Sequence, residues 1–285
     1  LSAISRGTER LVAKGEGPQS EWSRMRAPLQ AGSFSFPVKY GYSAAGIVTA
    51  GSDTILGRRV FALHPHQDYF QAAEDNLVAI PDAIPSRRAV LAANMETALN
   101  AHWDAGTAPG DRIAVIGAGI VGLLVAYLAQ RIAGTDVTLV DIDPARASYA
   151  EALGLTFATP DDLPLDNRIV FHTSATEAGL NAAIDACVFE GKVIEMSWYG
   201  KRPVTINLGA AFHSRRLRII SSQVGHVAPS HRGHIKHRDR LERAMALLDD
   251  PALDVLVADT VAFTELPKSL SDIWSSTGLP PVISY

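Results

Sequence analysis

The sequence is short of cysteine, of long apolar runs and of any large excess of charge. Cys187 is the single cysteine among 285 residues, which excludes an internal disulfide and a zinc site built from cysteines and suits a reducing compartment. The uncharged run from Ile113 to Ala129 is shorter than the about 20 apolar residues that a membrane-spanning helix needs. A net charge of -4 gives no indication of a nucleic acid or of an anionic membrane surface as a partner.

The beginning of the chain does not have the pattern of a secretory signal peptide. Arg6, Glu9 and Arg10 follow closely on Leu1, where a signal peptide would have an apolar core. We therefore expect a cytoplasmic protein. A hydrophobic fraction of 47% over 285 residues is enough for two domains, or for one large domain, with substantial cores.

A glycine-rich stretch in the middle of the chain is the most informative motif. An uninterrupted apolar run, Ile113 to Ile116, has the composition of a buried β-strand, and the stretch up to Gln130 has that of a helix. Between them, Gly117 permits a tight turn, Gly119 lets the backbone approach a pyrophosphate, and Gly122 lets the helix pack closely on the sheet. The stretch therefore predicts a dinucleotide site.

The phosphates of the dinucleotide are expected at the start of that helix, Ile120 to Gln130. The amides of Ile120 and Val121 belong to the first helical turn, whose N–H groups have no intrahelical partners and carry a positive partial charge. A glycine turn in an α/β domain that binds nothing is the alternative interpretation.

The next predicted strand, Asp136 to Asp143, contains a carboxylate that indicates the type of dinucleotide. Asp141 lies about 20 residues beyond the glycines, where an acidic side chain meets the adenosine ribose hydroxyls. It would repel a 2′-phosphate, and Ile142 supplies no cation, so we expect NAD(H) to be preferred over NADP(H). Arg146, a little further on, is the residue that leaves NADP(H) open.

Strand and helix patterns alternate through the middle of the chain, whereas the region from Leu1 to about Leu91 is mainly β in character. Such alternation is typical of a parallel sheet with helical crossovers. After Gly225, a segment rich in His and Arg precedes a predicted helix over Arg240 to Leu248. The predicted middle elements are strands at 114–116, 137–140, 169–171 and 193–196, and helices at 120–130, 145–153 and 179–187.

With these marks the sequence resembles the medium-chain dehydrogenase/reductases over nearly its whole length. The resemblance implies an α/β protein in which a Rossmann domain with a doubly wound parallel sheet, 97–224, is flanked by a mainly-β GroES-like catalytic domain, 1–96 and 225–285. It implies an active site in the cleft between them and a chain lacking the first β-strands of the catalytic domain; we also expect a homodimer. The marks besides the glycine motif are Ile4 to Glu9, Pro37 to Val48, Gly57 to Phe61 and Glu96 to Asn100.

The sequence departs from the zinc-dependent members at each position where they bind the metal. Arg6 stands in place of a cysteine, Tyr42 and Ser43 stand in place of a histidine and a glutamate, and 92–94 offer only two alanines and an asparagine. Catalytic zinc needs three protein ligands of Cys, His or carboxylate type. We therefore expect no zinc, as in quinone oxidoreductases and the bacteriochlorophyllide a dehydrogenase type.

Without a metal, the chemistry needs a hydrogen-bonding group or an acid/base with a pKa near the working pH. His64 is the first candidate, because it lies where related enzymes line the substrate pocket and because histidine titrates near neutrality. Thr8 matches the hydroxyl that relays a proton in zinc members, and Tyr42 and Ser43 are expected to face the same cavity. The alternatives are that Thr8 hydrogen-bonds only to the backbone and that Tyr42 only packs against its neighbours.

Arg6 and several histidines are further candidates for binding an anion or a metal ion. Arg6 would suit a substrate carboxylate or phosphate, or else an ion pair with Glu9 or Glu96. His64 and His66 have the spacing of one strand face, but a third metal ligand is not evident. The repeated histidines of the basic segment are typical of a solvated loop or helix start, with cofactor phosphate or an acidic partner as the alternative; they are His231, His234 and His237.

The remaining cofactor contacts are expected at the carboxyl ends of the parallel strands. Ser174 follows one strand, and Ser197 and Trp198 follow the next. Trp198 and the neighbouring Tyr199 would form a wall of the substrate pocket, or else pack between domains. In the family, a threonine approaches the nicotinamide at the position of Thr97, which we expect to open a helix.

The sequence thus predicts an NAD(H)-dependent oxidoreductase that moves hydride between nicotinamide and a carbonyl or secondary alcohol carbon of a small molecule. Reduction of an activated C=C bond or a quinone is a second possibility. A protein that senses NAD(H) without turnover is a third, because lost zinc ligands also fit lost catalysis. The substrate does not follow from the sequence.

Overall fold

The computed structural model describes residues 1–34 and 36–285. The strands, in chain order, are β1 (Ser2–Ala3), β2 (Ala31–Gly32), β3 (Val38–Lys39), β4 (Ala44–Ile47), β5 (Arg59–Ala62), β6 (Leu77–Ala79), β7 (Arg112–Ile116), β8 (Asp136–Val140), β9 (Thr156–Ala158), β10 (Asn167–His172), β11 (Cys187–Glu195), β12 (Arg218–Ser221), β13 (Thr260–Ala262) and β14 (Val282–Ser284).

The helices follow the same order along the chain. The α-helices are α1 (Arg6–Ala13), α2 (Ser86–Ala89), α3 (Ala92–Ala105), α4 (Ile120–Gln130), α5 (Ala147–Ala152), α6 (Glu177–Asp185), α7 (His237–Ala246) and α8 (Leu266–Ser275). Short 3₁₀ helices lie at Gln19–Glu21, Glu74–Asn76, Pro144–Arg146, Pro160–Asp162, Pro251–Val257 and Phe263–Glu265, and a π-helical turn lies at Leu208–Phe212. Within the described ranges, no helix is long and apolar enough to cross a bilayer.

The chain divides into two compact units. The first unit comprises Leu1–Ala93 together with Leu241–Tyr285, and the second is Asn94–Arg240. In this division the segment from Gly225 to Arg240 belongs to the second unit. It does so because Arg240 bonds to Glu96 and to the backbone of the segment itself.

The second unit is built on a parallel sheet with the strand order β12-β11-β10-β7-β8-β9. This is the doubly wound order of dinucleotide-binding folds, in which the direction of winding reverses between β7 and β10. The central strand β7 is apolar from Ile113 to Ile116 and is buried, as expected for a strand covered on both faces. The helix α4 is apolar on all sides and buried from Gly122 to Ala129. The predicted parallel α/β architecture is present.

The first unit contains a mixed sheet with the order β13-β14-β1-β4-β5-β6 and a small hairpin of β2 with β3. Its strands pair antiparallel except for β13 with β14. The C-terminal strand β14 lies between β1 and β13, so the two ends of the chain share one sheet.

One helix was not predicted, and one local expectation was wrong. The region before Leu91, predicted as mainly β, also contains α1, whose buried face is supplied by Glu9, Leu11 and Val12. Thr97 does not open a helix, because α3 already begins at Ala92. Buried alanines and Met95 form its first turn, which extends the helix backwards from the predicted start.

Candidate functional site

The glycine turn of the second unit has three glycines with three different surroundings. Gly117 has a φ of +112°, and a Cβ there would lie 2.7 Å from the Thr173 hydroxyl oxygen. A Cβ on Gly122 would lie 1.8 Å from the carbonyl oxygen of Gly117, so only glycine allows α4 to approach the turn. A Cβ on Gly119 would meet nothing within 4 Å. The open space at Gly119 is therefore where a ligand can approach the backbone.

The first turn of α4 faces this space with its amide groups. Gly119 is the N-cap residue and supplies no side-chain cap, and the first helical bond runs from the Leu123 amide to the Gly119 carbonyl. The amides of Ile120 and Val121 precede that bond and are left for an anion by helix geometry. The turn therefore fits a pyrophosphate both in space and in charge.

Asp141 lies directly beside the glycine turn, one residue after β8 ends. One carboxylate oxygen accepts a hydrogen bond from the Ala118 amide at 2.6 Å, and the other accepts one from the Asp143 amide at 2.9 Å. The next residue, Ile142, is 83% exposed. Arg146 is buried, 3.9 Å from Asp143 and over the ring of Tyr149. The Asp141 carboxylate is thus held beside the glycine turn, and the Arg146 guanidinium lies near Asp143 and the ring of Tyr149.

The residues that follow β10 and β11 form a connected polar cluster, part of which the sequence did not indicate. The predicted Ser174 hydroxyl is 2.7 Å from Nε2 of His172, and the predicted Ser197 hydroxyl accepts a bond from the Ala175 amide at 3.1 Å. His172 and Glu195, which join them, were missed. Polar residues at the end of buried strand patterns were the available signal. Trp198 is half-buried next to this cluster in the chain.

Thr97 lies within α3 beside a buried ion pair. Glu96 and Arg240 are 3.0 Å apart with almost no exposure, and the same guanidinium donates to Asn100 at 2.5 Å. Burial raises the pKa of the Glu96 carboxyl, and the charge of Arg240 and its hydrogen bond oppose this. The sequence context had indicated that Arg240 belongs to a solvated basic surface. Arg240 is instead buried beside Glu96.

The rest of the basic segment is arranged around aromatic and backbone contacts. His231 stacks on Trp103 with ring centroids 4.0 Å apart, and its ring is 5.6 Å from that of His234. His237 begins α7 and lies 3.0 Å from the Gly225 carbonyl. The observed contacts of these three histidines are with the protein itself.

In the first unit, Tyr42 and Thr8 are brought together. Burial, followed by the nearby charge of Glu9, raises the pKa of Tyr42 to about 12, and hydrogen bonds with the side chains of Ser5 and Thr8 oppose this rise. The phenol therefore keeps its proton at neutral pH and is a hydrogen-bond donor. Thr8 thus has a side-chain partner, which goes beyond a bond to backbone alone.

Glu9 is also part of a partly buried chain of polar side chains that includes His66. His66 Nε2 lies 2.9 Å from a Glu9 carboxylate oxygen, and its Nδ1 lies 2.8 Å from the Ser2 hydroxyl. The same hydroxyl is 2.8 Å from that of Tyr285. Both ring nitrogens of His66 are therefore engaged with protein groups.

His64 lies beyond the end of β5, and its partners differ from those of His66. Its Nδ1 is 2.9 Å from the Pro65 carbonyl oxygen, and its ring stacks on Phe70 with centroids 3.6 Å apart. Because a carbonyl only accepts, Nδ1 carries the proton and Nε2 has the lone pair in the neutral ring. Burial, and secondarily the charge of Lys39, lower the pKa of His64, while the bond to Pro65 opposes this. The neutral ring is a base at neutral pH.

Two further candidates are held by backbone carbonyls. The Ser43 hydroxyl donates to the Val90 carbonyl and is buried. Arg6 donates to the carbonyls of Ser276 and Gly278 at 2.6 and 2.7 Å, while Glu9 is paired with His66. Over residues 1–34 and 36–285, the structure has no group of three His, Cys, Asp or Glu residues arranged to hold a metal ion.

Comparisons with known proteins match the chain to one family description and to several dehydrogenases. The family description "Ketopantoate reductase PanE/ApbA" matches residues 113–190, the stretch from β7 into β11. The (R,R)-butanediol dehydrogenase of Bacillus subtilis (strain 168) is 23% identical over 274 residues, which are 81% of this chain and 75% of that protein. For several other curated relatives, the chain spans less than half of their length.

Solved structures match most or all of the chain. A proposed zinc-binding dehydrogenase from Sinorhizobium meliloti 1021, bound to NADP, covers 100% of this chain and 90% of its own with a TM-score of 0.77 and 18% identity. The Bacillus subtilis protein yhfP, with NAD bound, covers 86% of this chain and 80% of its own with a TM-score of 0.65 and 21% identity.

The chain is thus similar to alcohol dehydrogenase-like dehydrogenases, and solved structures of the same fold contain NAD or NADP. Another relative, an uncharacterized zinc-type alcohol dehydrogenase-like protein of Haemophilus influenzae, is 24% identical over 212 residues, which are 69% of this chain and 57% of that protein. The fold of this chain is the predicted combination of a GroES-like domain with a Rossmann domain.

Proposed function

We propose that the protein is an NAD(H)-dependent, zinc-independent oxidoreductase that acts on a secondary alcohol or its carbonyl counterpart. The observation that carries the proposal is the glycine turn with Asp141 bonded to it. The turn leaves room and free amides for a pyrophosphate, and the carboxylate stands beside it for the ribose hydroxyls. A bound nicotinamide dinucleotide supplies or accepts the hydride in this class of reaction.

The preference for NAD(H) rests on charge. The Asp141 carboxylate lies beside the glycine turn, and like charges at close range would disfavour a 2′-phosphate there. Arg146 is buried against Asp143 and Tyr149, so its charge is not presented at the exposed rim where Ile142 lies. Structures of similar fold contain NAD in one case and NADP in another, so the fold by itself is compatible with either dinucleotide. The Asp141 carboxylate is the feature that favours NAD(H) here.

The proposal of a zinc-independent reaction rests on the residues at the usual ligand positions. Arg6 donates to two backbone carbonyls, Ser43 donates to a third, and Tyr42 keeps its proton. None of these is a thiolate, an imidazole or a carboxylate. In place of a metal, we assign His64 as the base that accepts the alcohol proton and the Tyr42 hydroxyl, supported by Thr8, as the donor to the oxygen that develops negative charge.

The proposed function is tested by cofactor titration and by turnover. We expect NADH to bind at least about tenfold more tightly than NADPH, about 1.4 kcal/mol, when both are followed by protein fluorescence. Secondary alcohols should be oxidised with NAD, followed at the nicotinamide absorbance, and a chelator should leave the rate unchanged. Elemental analysis of the same sample should find far less than one zinc per chain.

Each part of the proposal has its own contrary result. Tighter binding of NADPH would overturn the role of Asp141. Stoichiometric zinc with loss of activity on chelation would overturn the zinc-independent reaction. Hydride transfer to enones or quinones alone would replace the alcohol with a conjugated carbon as acceptor, and binding of NADH with turnover of no substrate would favour a sensor.

A further inference from the structure

The parallel strands β10 and β11 end side by side in a buried acid–base pair that the dinucleotide motif does not require. The register of the two strands pairs His172 with Glu195. His172 is fully buried, and its Nδ1 lies 2.7 Å from a Glu195 carboxylate oxygen. Because a carboxylate only accepts, Nδ1 carries the proton. The Nε2 atom of the neutral ring then accepts from the Ser174 hydroxyl at 2.7 Å.

Glu195 accepts hydrogen bonds from the loop that follows β11. The Ser197 amide donates to one carboxylate oxygen at 2.7 Å, and the Tyr199 hydroxyl donates to the other at 3.1 Å. Burial acts to raise the pKa of the Glu195 carboxyl, but the hydrogen bonds from His172 and from Ser197 hold that pKa below its usual range. A charged carboxylate therefore ties β10 to the start of the loop after β11.

The loop after β10 is held in an unfavourable conformation by the same connections. Ala175 has a φ of +54°, a left-handed conformation that a residue with a Cβ rarely adopts. Its amide donates to the Ser197 hydroxyl at 3.1 Å, and its carbonyl accepts from Arg202 at 3.1 Å. Non-glycine residues in this region persist where the surroundings fix them, often at ligand sites.

This loop in turn touches the glycine turn of the dinucleotide site. The Thr173 hydroxyl donates to the Gly117 carbonyl at 2.9 Å, and a Cβ on Gly117 would lie 2.8 Å from the Ser174 amide. A Cβ on Gly179, in α6, would lie 2.9 Å from His172 Nε2, so the helix closes the cluster from the other side. The loop after β10 is therefore bonded to the glycine turn through Thr173, the residue that follows His172.

We propose that His172 and Glu195 are positioning residues for the dinucleotide, and that their hydrogen bonds set the geometry of the loops after β10 and β11 against the glycine turn. The inference rests on the proposed NAD(H) function. The pair does not touch the reacting atoms and acts through Ser174 and Ser197. Its loss should weaken cofactor binding without slowing the chemical step once cofactor is saturating.

The test compares two glutamates of the same strand. In Glu195→Gln, the new amide nitrogen cannot accept, so at least one of the three donors loses its acceptor. Glu190→Gln is the matched control, because Glu190 lies at the other end of β11 and pairs with the exposed Arg216. We expect Glu195→Gln to raise the dissociation constant for NADH by about tenfold or more and Glu190→Gln to change it by less than about twofold.

A second variant and a kinetic split separate positioning from a merely structural role. Tyr199→Phe keeps the ring and removes only the hydroxyl that donates to Glu195, so it should fold and should weaken NADH by about threefold. In both variants the KM for NAD should rise while kcat at saturating NAD stays within about twofold of the unaltered protein.

The outcomes distinguish this inference from the proposed function. Unaltered protein that binds neither NADH nor NADPH contradicts the proposed function itself. Unaltered protein that binds NADH while a folded Glu195→Gln binds it equally well overturns the positioning pair alone. If Glu195→Gln fails to fold, Tyr199→Phe decides, and unchanged NADH affinity in that variant overturns the pair. A fall in kcat with an unchanged KM would also overturn it.

Discussion

At the scale of single residues, Tyr42 is suited to donate a hydrogen bond and His64 is suited to accept a proton. Tyr42, with its pKa raised to about 12, donates a hydrogen bond throughout the working range. His64, with its pKa lowered and Nδ1 bonded to the Pro65 carbonyl, presents a lone pair on Nε2. The base therefore remains neutral to lower pH than an ordinary histidine, which titrates near 6.5.

Removal of either side chain should slow alcohol oxidation. We expect His64→Ala and Tyr42→Phe each to lower kcat by about a hundredfold, because positioned acids, bases and oxyanion donors contribute that order of rate. Affinity for NADH, measured by fluorescence, should stay nearly unchanged. Tyr69→Phe is the control, since Tyr69 is 75% exposed.

The pH profile separates the two roles. The oxidation rate of the unaltered protein should fall on the acid side as His64 gains a proton, and His64→Ala should lose that limb. Normal turnover by His64→Ala together with slow turnover by Tyr42→Phe would transfer the proton-handling role to Tyr42.

At the scale of elements, α4 and the glycine turn combine packing and binding in adjacent residues. Gly122 allows the helix to touch the Gly117 carbonyl, whereas Gly119 faces open space. Gly119 has a φ of -75°, which any residue adopts. The two glycines therefore have separable functions, one in helix packing and one at the ligand.

Substitution by alanine should separate these functions. Gly122→Ala places a methyl group against backbone and should lower the free energy of unfolding by about 1–3 kcal/mol or more, measured by urea denaturation. Gly119→Ala should unfold at nearly the same urea concentration as the unaltered protein but bind NADH about tenfold more weakly, because its methyl group fills the phosphate space. Full NADH affinity in Gly119→Ala would place the pyrophosphate elsewhere.

At the scale of the whole molecule, stability should depend on a buried histidine of the second unit. His102 in α3 donates from Nε2 to the Val125 carbonyl at 3.0 Å, and its Nδ1 lies 3.2 Å from the Thr107 hydroxyl, so the neutral ring is satisfied. Burial lowers the pKa of His102 from 6.5 to about 4. Between these two values the unfolded chain binds more protons than the folded protein.

The free energy of unfolding should therefore decrease as the pH falls from about 6.5 toward about 4, at up to about 1.4 kcal/mol for each pH unit. Urea denaturation followed by circular dichroism at several pH values measures this slope. His102→Gln, which can still donate to Val125, should flatten it, and His234→Gln should not, because His234 is exposed. An unchanged slope in His102→Gln would assign the acid sensitivity to other groups.

The amino-acid sequence by itself determined the parts of the structure that depend on residues close together in the chain. The bounds of α4, Ile120 to Gln130, agree with the prediction because an apolar helix beginning after a glycine N-cap is a local pattern. Four strands of the parallel sheet, β7, β8, β10 and β11, and the glycine turn followed for the same reason, whereas β9 and β12 were not predicted. The helix Arg6 to Ala13 was missed, because eight residues of mixed polarity give little periodicity, and their helical state depends on burying Leu11 and Val12.

Tertiary structure alone decided which polar groups meet. Arg240 looked like one more cation in a basic segment, yet it is buried against Glu96, 144 positions away in the chain. His172 and Glu195 are unremarkable in the sequence until the parallel register of β10 and β11 places them side by side. A charged or polar side chain is stable in a protein interior only beside a partner, and the fold, through contacts between distant segments, determines which partner that is.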